Sequence, residues 1–153
     1  MTITIDRFQG DPKMYLDENG SYLDFRGGQP VMDAGLENAA NISLFTRDDP
    51  KWGGNVLVTD PNEKIGAKFE KIASGTITVQ TLNDTRDASE KALAWMINAG
   101  IAGEVIGQVS NPTGSRMQTA VLIRPVGDDP IVLLATKNGA NWQAQAVDPA
   151  HGR

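Results

Sequence analysis

Apolar and polar positions change their period twice along the chain. Near the start, Met14 and Leu16 on one side and Tyr22 and Phe25 on the other flank Glu18-Asn19-Gly20. Asn and Gly both tolerate positive φ, so the runs Lys13–Asp17 and Ser21–Phe25 predict a β-hairpin, ended by Gly27-Gly28-Gln29-Pro30. From Asp33 the step lengthens to three and four residues. Leu36, Ala39, Ala40 and Phe45 form one apolar stripe, which predicts a helix over Ala34–Thr46 with Asp33 as N-cap and Asp48-Asp49-Pro50 as its stop. Trp52-Gly53-Gly54 reads as a tight loop, Asn55–Thr59 as a short extended piece, and Asp60-Pro61-Asn62-Glu63 as the entry to a second helix over Glu63–Ala73.

The longest periodic stretch follows. Ala88, Ala92, Trp95, Met96 and Ala99 share one face of a helix running from near Thr78 to Gly100, with Asp87 and Lys91 as an i,i+4 pair on another side. The period then shortens to two. Glu104–Val109, Met117–Arg124, Pro130–Thr136 and Trp142–Val147 are separated by Asn111-Pro112-Thr113-Gly114, Gly127-Asp128-Asp129 and Asn138-Gly139, each a turn signal. In the last of these runs Trp142, Ala144 and Ala146 alternate with Gln143 and Gln145. The pattern predicts an α+β fold: helices packed on one face of a small antiparallel β-sheet (a meander), with an N-terminal β-hairpin. It is read as a single domain over 1–153, made of a hairpin region (1–33), a helical region (34–100), a β-meander (101–147) and a flexible tail (148–153).

Composition narrows the chemistry. The chain has no Cys and one His, so thiolate catalysis, disulfides and multi-imidazole zinc centres are excluded. Its 153 residues suffice for a core burying roughly 70% of the unfolded surface. The 19 acidic against 14 basic residues argue against a nucleic-acid face, which needs clustered cations. Nine carboxylates and four cations lie before Lys51, so the first fifty residues carry the whole formal charge of −5 and the strand-rich end is nearly neutral. The start alternates and reaches charge at once, unlike a signal peptide, and no apolar run approaches bilayer length, so no membrane partner is expected.

Candidate reactive groups are weak. His151 sits in the terminal Pro-Ala-His-Gly-Arg, where no partner can orient it as a base. Glu90 and Glu104 flank the apolar end of the long helix, but an acid pair needs two carboxyls ~5–9 Å apart and nothing in the sequence brings them together. Asp48-Asp49 with Asp60 lacks the alternating ligands of a calcium loop, and the glycines fit no phosphate loop. No catalytic, cofactor-binding or metal residue is therefore assigned. Trp52, in its Gly-rich loop, is as much a partner anchor as a packing residue, whereas Trp95 is read as core. Trp142, Ala144 and Ala146 on the charge-free last strand, with Ile131 and Leu133 on the strand before it, are the other expected partner contacts. That last strand is taken as an exposed edge able to accept a strand from another chain.

Four segments in order carry a family resemblance. Asp33-Ala-Gly-Leu-Glu-Asn-Ala-Ala-Asn-Ile-Ser-Leu-Phe-Thr46, Lys51-Trp-Gly-Gly-Asn55, and Ala92-Leu-Ala-Trp-Met96 followed by Asn98-Ala-Gly-Ile-Ala102, preceded by the Met14–Asp24 hairpin, resemble the Mu-like phage baseplate wedge proteins. These are related to the sheath-initiator wedge proteins of contractile-tailed phages. The resemblance implies a non-enzymatic virion subunit of the tail baseplate, made in the host cytoplasm. Its implied partners are larger wedge proteins and tail sheath subunits, with the tube or hub as a further neighbour, in six copies per baseplate. A lysozyme label carried by some relatives keeps a small hydrolase as the alternative, beside a stand-alone ligand-binding module.

Overall fold

In the computed structural model, which describes residues 11–17, 20–33, 36–49, 51–61, 64–139 and 141–147, short strands precede the helices and long strands follow them. The order is β1 (Asp11–Pro12), β2 (Met14–Asp17), β3 (Gly20–Leu23), β4 (Phe25–Arg26), β5 (Gln29–Pro30), β6 (Met32–Asp33), α1 (Leu36–Phe45), α2 (Gly53–Leu57), α3 (Phe69–Ala73), α4 (Val79–Asn98), β7 (Ala102–Ser110), β8 (Arg116–Pro125), β9 (Ile131–Asn138) and β10 (Asn141–Val147). The fold is α+β with antiparallel sheets. The predicted N-cap Asp33 side chain, the hairpin turn at 18–19 and the tail with His151 lie outside the described residues.

The main sheet has the order β3-β2-β10-β9-β8-β7. Its meander is built on strict alternation: along β8, Met117, Thr119, Val121 and Ile123 are buried while Gln118, Ala120 and Leu122 are half-exposed. Register carries that face across the sheet, with Val121 opposite both Gly107 and Leu133, and Ala135 opposite Ala144. On this face sit Leu44, Phe69, Leu93 and Met96 from three of the helices. Phe45, Phe69 and Trp142 pack ring against ring there, with centroids 5.3–5.7 Å apart.

The longest helix starts and stops where its sequence signals stand. Thr78 is the N-cap of α4, its Oγ1 accepting from Thr81 N–H at 3.1 Å, and Gly100 follows the C-cap with φ 72°. Its buried stripe differs from the expected one. Thr85, Ser89, Leu93 and Met96 face inward, with Ala88, Ala92 and Trp95 only half-buried beside them. Two hydroxyls enter the core because each returns its proton to the helix backbone, Thr85 to Thr81 O and Ser89 to Arg86 O, both at 2.7 Å. Asp87 pairs with Arg86 at 2.8 Å instead of with Lys91.

Two local expectations are corrected. Residues 53–57, read as loop and extended chain, form the short helix α2, and the helix expected over Glu63–Ala73 is present only as α3 from Phe69. The reason is a pair of staples made by neighbouring segments. Asn55 accepts from Ile65 N–H at 2.9 Å and donates to Ile65 O at 2.5 Å, while Ala67 N–H reaches Thr46 O and Asp48 N–H reaches Ala67 O. Residues 64–67 are thereby committed to extended pairing and withdrawn from any helix. At the other end of α3, the buried Lys137 amine donates to Ala73 O at 2.8 Å.

Leu93→Ala should cost about 2–5 kcal/mol by opening a cavity between α4 and the sheet. Thr78→Ala should cost about 1 kcal/mol through the lost cap. Urea denaturation followed by circular dichroism measures both.

Candidate interaction site

Strand pairing decides which backbone is available to a partner. β10 is paired along its length with β9 and also meets β2 at Ala144↔Leu16, so it is an interior strand and not the expected edge. The hairpin β2–β3 covers it. Ala144 (4% exposed) and Leu133 (2%) are buried, and Ile131 and Trp142 pack against the same core, so these four residues face the helices instead of a partner. Ala146 stands opposite Leu133 in the register, inside the sheet. The edges of the main sheet are β3 and β7.

Of these, β7 is the longer. It is a nine-residue strand, irregular at Ala102/Glu104, and carries no Lys or Arg. In an antiparallel pair, alternate residues turn both backbone groups away from their neighbour. Gly107 N–H donates to the Glu90 carboxylate at 2.9 Å, which identifies Gly107, and with it Val105 and Val109, as the outward-turned residues. Glu90 thus closes the middle of the edge while Gln108–Ser110 continues past it. A groove of about 650 Å³ opens beside that stretch, between Leu82, Asn83 and Arg86 of α4 and Ala120 and Leu134 of the sheet. The approach of α4 requires glycine here: a Cβ on Gly107 would stand 2.7 Å from Ser89 Oγ and 3.2 Å from Arg86 O. Arg86 is held above its ordinary pKa by its hydrogen bond to Asp87.

Glu90 and Glu104, the pair weighed for acid catalysis, each have a partner of their own. Glu90 holds Gly107 N–H, and Glu104 forms an ion pair with Arg124 at 2.7 Å. Among the described residues, no group of three or more His, Asp or Glu side chains is placed to hold a metal ion.

The second surface is the loop around Trp52. Trp52 (43% exposed), Val56 (65%) and Leu57 (86%) project from α2. Trp52 O accepts from both Asn55 N–H and Val56 N–H, which makes Trp52 and Val56 neighbours at helical i,i+4 spacing. The Trp52 ring lies across Gly54, where any Cβ would collide with it. The loop base is fixed by Asn55 on Ile65, by the Arg47↔Ala67 bridge, and by the Arg47 guanidinium on Glu70, which holds the Glu70 carboxyl below the usual range. Gly66 (φ 145°) permits this closure, since a Cβ there would lie 2.9 Å from Asp48 Cα.

Of the sequence-derived partner residues whose side chains are described, Trp52 is exposed while Ile131, Leu133, Trp142 and Ala144 pack into the core, and Val56, Leu57, Glu90 and Gly107 were not singled out for these roles. A glycine inside an alternating strand is the signal for Gly107; nothing in the spacing marks Glu90 as its cap. No family model, no curated protein and no solved structure matches this chain.

Gly107→Ala should lower stability by about 1–3 kcal/mol as α4 is pushed off the edge, measured by chemical denaturation. Because the Glu70 pKa is depressed in the fold, its contribution is present above the usual carboxylate range and lost as pH falls through it. Glu70→Gln should therefore remove a small part of the wild-type stability loss between about pH 5 and 3, read from acid unfolding curves.

Proposed function

We propose that this chain is a structural subunit of a contractile phage tail baseplate, a wedge protein and sheath initiator that binds larger wedge proteins and templates the first sheath ring by β-strand addition. The ordered resemblance of four segments to the Mu-like baseplate proteins motivates the reading. The observation that carries its mechanism is β7, a long edge strand without basic residues whose outward backbone groups continue past Glu90 beside an open groove. Main-chain hydrogen bonds to an added strand supply affinity, and alternate side chains packing beside Gln108 and Ser110 of β7 supply register. In this reading the subunit resides in the virion, in six copies around the tail axis, and acts through surfaces instead of reactive side chains.

Val109→Pro deletes one outward-turned N–H and leaves the β7–β8 ladder intact, so the isolated domain should keep its circular dichroism spectrum while sheath assembly fails. Normal sheaths in that variant, seen by electron microscopy of purified tails, would sink strand addition at this edge. A cryo-electron microscopy map of the tail with no density for this chain at the baseplate would sink the assignment itself.

A further inference from the structure

We propose that Glu90 is a two-position latch on the β7 edge. In the closed position its carboxylate holds Gly107 N–H, in the place of an incoming strand's carbonyl; in the open position it pairs with Arg86 and uncovers that N–H for strand addition. The inference deepens the reading of β7 as the edge to which a strand is added, and rests on that reading for what the open position admits.

The closed position is the one the structure shows. Gly107 N–H donates to Glu90 Oε1 at 2.9 Å, the length of an ordinary β-ladder bond. The carboxylate reaches it because Gly107 has no Cβ and α4 lies close: a Cβ there would meet Ser89 Oγ and Arg86 O. Gly107 is buried although its strand is an edge, so this N–H needs an acceptor, and either a side chain or a partner's main chain meets the need. The rest of the stretch lacks the usual edge guards. From Val105 to Ser110 the register is regular, with no charged residue and no Pro, and the preceding Glu104 is neutralised by Arg124 at 2.7 Å.

The open position has its partner already in place. Arg86 precedes Glu90 by four residues on α4, the spacing at which helix side chains meet. In the closed state Arg86 gives Nε and Nη2 to a single oxygen of Asp87, its next neighbour in sequence, at 3.0 and 2.8 Å. Both side chains of that pair are exposed, where an ion pair is held by little, so the guanidinium is easily redirected. The hydrogen bond and charge of Asp87, and to a lesser degree the charge of Glu90, hold Arg86 above its ordinary pKa, so the two groups already feel each other. Arg followed four residues later by Glu is the weaker orientation of such a pair, which keeps the latch closed until a strand's carbonyl replaces the carboxylate at Gly107. That exchange of acceptors leaves no donor unsatisfied, and Arg86 receives the released carboxylate.

The test follows Gly107 by amide hydrogen exchange in the isolated full chain, with Val109, the next outward-turned residue, as reference. In the wild type Gly107 N–H should exchange more slowly than Val109 N–H. Glu90→Ala should speed Gly107 about tenfold or more and leave Val109 unchanged. Asp87→Asn, which frees Arg86 for Glu90, should speed Gly107 several-fold. Arg86→Met, which keeps the stem beside Gly107 and removes the open-state partner, should slow it several-fold. Both effects should vanish in the Glu90→Ala background, where a general influence of charge on exchange would persist. Asp87→Asn and Arg86→Met act on exposed side chains, so they report even where Glu90→Ala does not fold; unchanged circular dichroism confirms folding in each. The latch is overturned by equal Gly107 exchange in wild type and Glu90→Ala, by no response to Asp87→Asn and Arg86→Met, or by responses that survive in the Glu90→Ala background. In particles, Glu90→Ala should support sheath assembly, because the incoming carbonyl takes the vacated donor. Assembly lost in that folded variant makes Glu90 a partner contact and overturns the latch. Assembly that persists in Val109→Pro overturns strand addition at β7, and a chain absent from purified tails overturns the baseplate reading; neither result alters Gly107 exchange in the isolated chain.

Discussion

The approach of α4 to β7 at Gly107 is the contact on which most of the architecture depends. Serine and glycine face each other there, so the helix backbone comes closer to the strand than larger side chains would allow. That closeness fixes how Leu93 and Met96 descend onto Val121 and Ile123, and it brings Glu90 within reach of a strand N–H that would otherwise meet only solvent. One small-residue contact therefore sets both the core and the accessibility of the edge. Large apolar groups fill the space left over, and the aromatic cluster of Phe45, Phe69 and Trp142 closes the far end.

Among the described residues, the two faces of the sheet differ in their cover. Helices cover the face that holds Val121, Leu133 and Ala144, while the opposite face presents half-exposed Leu122, Val132 and Leu134 across adjacent strands. Burial of this kind fixes the hydrogen-bonding directions of the four long strands from within, so the backbone groups at the β7 edge have a set geometry.

Where the sequence carried periodicity, the fold was legible. α4 was readable from Thr78 to Gly100 because a cap, a long stripe and a left-handed glycine agree, and the meander was readable because β7 to β10 alternate between turn signals. The 53–67 region was not, because its conformation comes from Asn55 reaching ten residues ahead to Ile65, an interaction with no local pattern. The edge was misplaced for a related reason. Trp142, Ala144 and Ala146 alternate like an edge strand with one wet face, yet the hairpin over a hundred residues earlier pairs with their strand. Sequence pattern reports which face of a strand is apolar; it does not report which strands stand beside it. The half of the candidate site lying on side chains, Trp52, was visible on that basis, and the half lying on the backbone of β7 was not.

The Arg47↔Ala67 bridge and the Asn55–Ile65 pair lie at the base of the chain that carries α2. Closure at the base makes that chain a cassette. Its tip can change in length or sequence without disturbing α1 or α3, because the residues that join it to the core are already satisfied by one another. Length and composition can then vary at the tip while the scaffold below stays constant.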